Sequence, residues 1–129
     1  MKKIKLLLVI IFTFLFSTTS WGEWSYVSKT LNGNKFYYDK DRVRKSGKYI
    51  YFWELVDLLK PLHGDLSVIT YIELDCSILR YKSLKIQGYK NSMGEGENTM
   101  DFTPKDEWRY PQPKSSTEVL YNKICEEHQ

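Results

Sequence analysis

The sequence predicts an α+β fold, an antiparallel sheet of about six strands with a C-terminal helix tied on by one disulfide. Three observations point there. Most of the chain beyond residue 22 alternates strand-like runs with turn signals. One segment, at the end, carries helical spacing behind a capping sequence. The two cysteines fall one in each: Cys76 in the longest strand-like run and Cys125 in that helix.

The opening residues stand apart from the fold. Lys2, Lys3 and Lys5 precede an apolar run from Leu6 to Phe16, broken only by Thr13. Ser20 and Gly22 then place small residues before a cleavage point at Glu23. That is the three-part plan of a secretory signal over residues 1–22. The run is about half of the roughly twenty apolar residues a bilayer span needs, so no stable span is expected after cleavage. No cysteine stands near the cleavage point, so no acylated N-terminal cysteine is expected. Residues 23–129 then form a single domain. Export places it in an oxidising compartment, where two cysteines pair more readily than they bind metal. Closing a loop of about fifty residues contributes roughly 4 kcal/mol in the chain-entropy view.

The formal charge of +3 belongs to the leader. Without Lys2, Lys3 and Lys5, sixteen Lys and Arg face sixteen Asp and Glu. A balanced domain has no long-range attraction for nucleic acid, and none is expected as a partner. Aromatic residues are dense, 16% of the chain. In a small exported domain they mostly serve core and cross-strand packing.

Trp24 to Ser28 alternates large and small side chains, Asn32-Gly33 is a tight-turn signal, and Lys35 to Asp39 returns, so Trp24 to Asp39 is expected as a hairpin. Lys40 to Lys48 is a polar connection with a helical turn capped by Asp39 or Asp41. Tyr49 to Val56 is apolar on both faces, as in a central strand. Leu58 to Leu66, with Pro61 and His63-Gly64, is expected as a mobile loop. In the next strand Val68, Thr70, Ile72, Leu74 and Cys76 share one face, which turns to the core and carries Cys76 inward. Ser77 to Tyr89 continues as strand after a bend or a turn. Asn91 to Asn98 is an acidic flexible loop, and Thr99 to Phe102 and Glu107 to Tyr110 are short strands bounded by Pro104 and Pro111. Ser115 with Glu118 forms a capping box. Thr117, Leu120, Tyr121, Ile124 and Cys125 then make one helical apolar face. An isolated helix this short is unstable, so it must dock.

These landmarks together resemble the bacterial surface-adhesin protein E family. The resemblance rests on Trp24, the pair Tyr38-Asp39, and Trp53-Glu54-Leu55. It continues with Asp75-Cys76 followed by Arg80-Tyr81, then Trp108, and Pro113-Lys114-Ser115 opening a helix that holds Cys125. It covers nearly all of residues 23–129. It implies an antiparallel sheet with a disulfide-held C-terminal helix, and binding to host matrix and serum proteins at the cell surface.

No catalytic constellation emerges. Nucleophilic catalysis needs a nucleophile beside a base, and both cysteines are engaged, while His63 and His128 lie outside any motif. The chain is therefore expected not to be an enzyme, with no cofactor and no metal. Glu73 with Asp75, and Glu95 with Glu97, are read as solvated surface rather than ligands, and Asp75, beside Cys76 and near Arg80, equally suits a structural ion pair. The candidate binding residues are Lys40, Arg42, Arg44, Lys45 and Lys48, five cations in nine residues countered only by Asp41. They suit a protein or a polyanionic glycan partner. A homodimer is compatible with this reading. The expected function is an exported binding domain in the periplasm or at the cell surface. The alternative is a periplasmic domain that assists or protects an envelope complex.

Overall fold

The computed structural model describes residues 23–129; the expected leader lies outside the described residues. Seven strands form one antiparallel sheet: β1 (Trp24–Lys29), β2 (Lys35–Asp39), β3 (Arg44–Ser46), β4 (Tyr49–Leu62), β5 (Asp65–Asp75), β6 (Arg80–Tyr89) and β7 (Asn98–Phe102). The spatial order is β1-β2-β4-β5-β6-β7. β3 pairs with β4 below β2, so both lie along the same edge of β4. One helix, α1 (Ser116–His128), follows. Apart from β2 and β3, which both pair with β4, consecutive strands pair with each other through short connections, which keeps the closure entropy small.

The long strands β4 and β5 form the middle. Their register places Ile50 opposite Leu74 and Phe52 opposite Ile72, and these four side chains face α1. Leu120, Tyr121, Ile124 and Cys125 of α1 fill the other half of that core. Phe52 and Tyr121 meet edge to face, with centroids 5.7 Å apart. The helix starts as expected. The Ser115 hydroxyl accepts from the Glu118 N–H at 3.2 Å. Glu118 reaches back to the N–H of Lys114 rather than Ser115, at 3.1 Å, so the capping reciprocity is shifted by one residue. Cys76 and Cys125 are bonded, with Cα atoms 5.8 Å apart. The bond fastens α1 just past the end of β5, and the Tyr38 hydroxyl donates to Glu127 at 2.8 Å further along the helix.

The opposite face has its own, smaller core. Leu55 and Ile69, paired across β4 and β5, are fully buried there with Tyr89. The cover is the segment after β6. Ser92–Gly94 forms a 3₁₀ turn, Met93 packs on this core, and the Gly94 N–H donates to Ser67 Oγ at 2.9 Å. A β-carbon on Gly94 would come within 2.7 Å of Ile69 Cδ1, and its φ is +71°, so glycine is required. The acidic loop expected over Asn91 to Asn98 is thus half a plug. Its glycines permit the tight approach, and Met93 anchors it.

Other differences are local. Lys40–Arg42 is the expected turn, capped by Asp39, whose carboxylate accepts from the Asp41 N–H at 3.1 Å. The remainder of that connection pairs with β4 as β3, which brings the sheet to seven strands. The loop expected at Leu58 to Leu66 is instead the end of β4, a turn at His63-Gly64 and the start of β5. A bulge there lets Pro61 escape ladder pairing, since the register jumps from Asp57 to Leu62. The strand expected at Glu107 to Tyr110 is reduced to one bridge between Arg109 and Tyr81.

Candidate binding surface

The helix covers one face of the sheet; the other carries a row of aromatic rings. Alternation along β4 sends Tyr49, Tyr51 and Trp53 to this face while Ile50 and Phe52 go to the core. On β5, Tyr71 sits opposite Trp53. Their rings are 4.7 Å apart, and Tyr71 also stacks near Tyr51 at 6.2 Å. Tyr26 and Tyr37 extend the row at the β1–β2 edge, with centroids 5.6 Å apart.

Cations are laid over these rings. The register pairs Arg44 with Tyr51, and its guanidinium sits 4.7 Å above that ring. One Arg44 nitrogen donates to the Tyr71 hydroxyl at 3.5 Å. Lys48, in the turn between β3 and β4, stands 5.3 Å over Tyr49. A second group lies beside it. Trp108 packs on Tyr49 at 5.4 Å and is capped by the Arg80 guanidinium at 4.2 Å and the Lys82 ammonium at 4.6 Å. A guanidinium over a ring still carries several N–H donors that suit a carboxylate or sulfate.

Some of these charges are spoken for. Arg80 bonds Asp75 at 3.0 Å. Burial pushes the Asp75 carboxyl up, but hydrogen bonds from Ser77 and Arg80 outweigh it, and its pKa lies below the ordinary value. Lys82 pairs with Asp106 at 2.8 Å. Burial and a hydrogen bond to Glu73 raise the Tyr51 hydroxyl, so Glu73 is engaged as well. Glu73 and Asp75 therefore brace the surface; of the two readings of Asp75, the solvated one is corrected, since it is buried, and the ion pair with Arg80 is the one present.

The five expected binding residues do not form one patch. Arg44 and Lys48 join the aromatic row. Lys45 lies opposite Ile50, which puts it on the helix-bearing face. Lys40 and Arg42 sit on the 3₁₀ turn, and Arg42 Nε is 3.5 Å from the buried Asp39 carboxylate. The Trp108 group was missed because a residue after β7 has to fold back across the sheet. The alternation of Tyr49, Tyr51 and Trp53 was the available signal for the row.

The model of the family described as surface-adhesin protein E matches residues 24–126. The chain belongs to the surface-adhesin protein E family. A comparison with curated proteins finds no match. Among solved structures, Haemophilus influenzae protein E superposes with a TM-score of 0.62 at 18% identity, covering 87% of this chain and 89% of that one. A second crystal form of protein E gives 0.61 at 18% identity, with coverage of 87% and 92%. Protein E from non-typeable Haemophilus influenzae gives 0.56 at 19% identity, covering 85% and 79%. At such identity the likeness to these structures is one of fold. Membership of the family makes the chain an adhesin-like surface protein, exported or at the cell surface. No described helix is long and apolar enough to cross a membrane.

Proposed function

We propose that this family member is a non-enzymatic adhesin whose helix-free sheet face binds an acidic segment of an extracellular-matrix or other host protein. The observation that carries the reading is Arg44, held over Tyr51 and bonded to Tyr71, whose ring in turn packs on Trp53. Lys48 continues the charged edge, and Lys40, Arg42 and Lys45 of the same connection contribute local positive potential. Aromatic and arginine side chains on a firm sheet make efficient contact surface, because little side-chain entropy is lost on binding. On this reading residues 1–22 direct export and residues 23–129 are the mature domain.

The test is binding of the exported, oxidised chain to an immobilised matrix preparation, with a sulfated polysaccharide as competitor. Loss of binding on changing Arg44 and Lys48, the two cations over the aromatic row, together to serine supports the proposal. Recovery of all the protein in the osmotic-shock fraction of intact cells contradicts a role at the surface. An intact mass that does not begin at Glu23 contradicts the assigned processing.

A further inference from the structure

The end of the sheet away from the disulfide carries an apolar tip that neither core uses. Leu31, in the β1–β2 turn, is fully exposed, and Leu59 and Leu62 near the end of β4 are 64% and 55% exposed. The two tips are locked together. Asn34 Oδ1 accepts from the Leu59 N–H at 3.1 Å, and Leu59 packs so closely on Gly33 that a β-carbon there would lie 2.8 Å from its Cδ2. The β1–β2 turn is itself closed by backbone bonds between Thr30 and both Gly33 and Asn34. A groove of about 490 Å³ runs between the tips. Presenting three leucines to water on a preformed scaffold is unfavourable, and such a patch marks an interaction surface.

Its rim is cationic. Lys29 and Lys35 stand directly opposite each other across β1 and β2, an arrangement that costs stability when nothing anionic lies between them. Both are exposed, as is Lys60 beside Leu59. No described carboxylate forms an ion pair with any of the three. Asp57, opposite Lys35, instead accepts from the Met93 N–H at 2.9 Å. The geometry points to an anionic lipid surface as the occupant: Leu31, Leu59 and Leu62 enter the interfacial layer while Lys29, Lys35 and Lys60 meet headgroup phosphates. Both features suit a bilayer interface, which takes apolar side chains between anionic headgroups. Leu31, Leu59 and Leu62 are not among the residues around Arg44, so the Leu31→Asp test is independent of the matrix-binding proposal.

The test is flotation of the exported, oxidised chain with phosphatidylcholine vesicles, alone or containing phosphatidylglycerol. Binding is expected only with phosphatidylglycerol present, and is expected to weaken as salt rises. Leu31→Asp, at a position with no packing to lose, is expected to weaken it about tenfold or more. Each change of Lys29, Lys35 or Lys60 to Gln is expected to weaken it about fivefold. Equal flotation of wild type and Leu31→Asp overturns the proposal, as does failure to float with phosphatidylglycerol. A dimer in sedimentation velocity that Leu31→Asp dissociates also overturns it, because the tip then belongs to a second copy.

Discussion

Replacing Glu54 by glutamine is expected to stabilise the domain at neutral pH and to remove most of its pH dependence between about pH 4.5 and 7. Glu54 projects from β4 toward α1 and is only 7% exposed. The Tyr121 hydroxyl hydrogen-bonds it, but Oε1 has no partner. Burial raises its pKa from 4.5 to about 7, against the smaller lowering by Tyr121. The folded state therefore holds this proton more tightly than the unfolded chain does. The resulting stability is fully present below the unfolded pKa and is lost as pH rises through the folded one. At about 1.4 kcal/mol per unit, the loss is on the order of 3 kcal/mol. Asp75 and Glu127 have lowered pKa values and act in the opposite sense. Their contributions are lost only as pH falls below the ordinary carboxylate range, which leaves the Glu54 window clear. Glutamine fills the same space and still accepts from Tyr121. Denaturant unfolding with the disulfide intact, at about pH 5 and about pH 8, is the assay. The Glu54→Gln advantage should grow toward the higher pH, by an amount equivalent to roughly 10 °C in melting temperature for a domain of this size. A difference between the proteins that stays constant with pH would refute the reasoning.

Reducing the disulfide, or changing Cys76 and Cys125 to alanine, is expected to cost about 4 kcal/mol for a loop of 49-residue separation, read as a lowered urea midpoint. Leu120→Ala is expected to cost about 2–5 kcal/mol in the same assay, because Leu120 is fully buried between α1 and the sheet. Gly94→Ala is expected to cost more than about 1 kcal/mol and to speed amide exchange at Ile69 and Leu55, since its β-carbon collides with Ile69.

The fold was legible where local chemistry and burial agree. Period-two alternation, the hairpin signal at Asn32-Gly33 and the Ser115 cap each specify an element from a few neighbouring residues; strand, hairpin and helix are present, though the hairpin connection runs over residues 30–34 with only Gly33 at positive φ. Cys76 and Cys125 were legible because two inward-facing thiols in an exported chain have little alternative. Leu58–Leu62 was misread because proline and a polar turn resemble a loop; the bulge that accommodates Pro61 is set by pairing with β5. Met93 and Gly94 were misread because their surroundings are acidic and glycine-rich, and their burial depends on Leu55 and Ile69, distant in sequence. The candidate surface was half legible. A cluster of cations in sequence located Arg44 and Lys48, but two-residue alternation in β3 sends Lys45 to the other face. Trp108 reaches Tyr49 and Arg80 only through the tertiary path of the chain after β7.

The claim that the helix-free face is the adhesive surface is tested most directly at Arg44. Its side chain is exposed and makes no core contact, so Arg44→Ala should leave the melting temperature within about 1–2 °C of wild type. Equilibrium binding of the oxidised chain to an immobilised matrix preparation should weaken about tenfold, as expected when a ring-stacked guanidinium at an interface is removed. Unchanged binding by a folded Arg44→Ala protein would contradict the account.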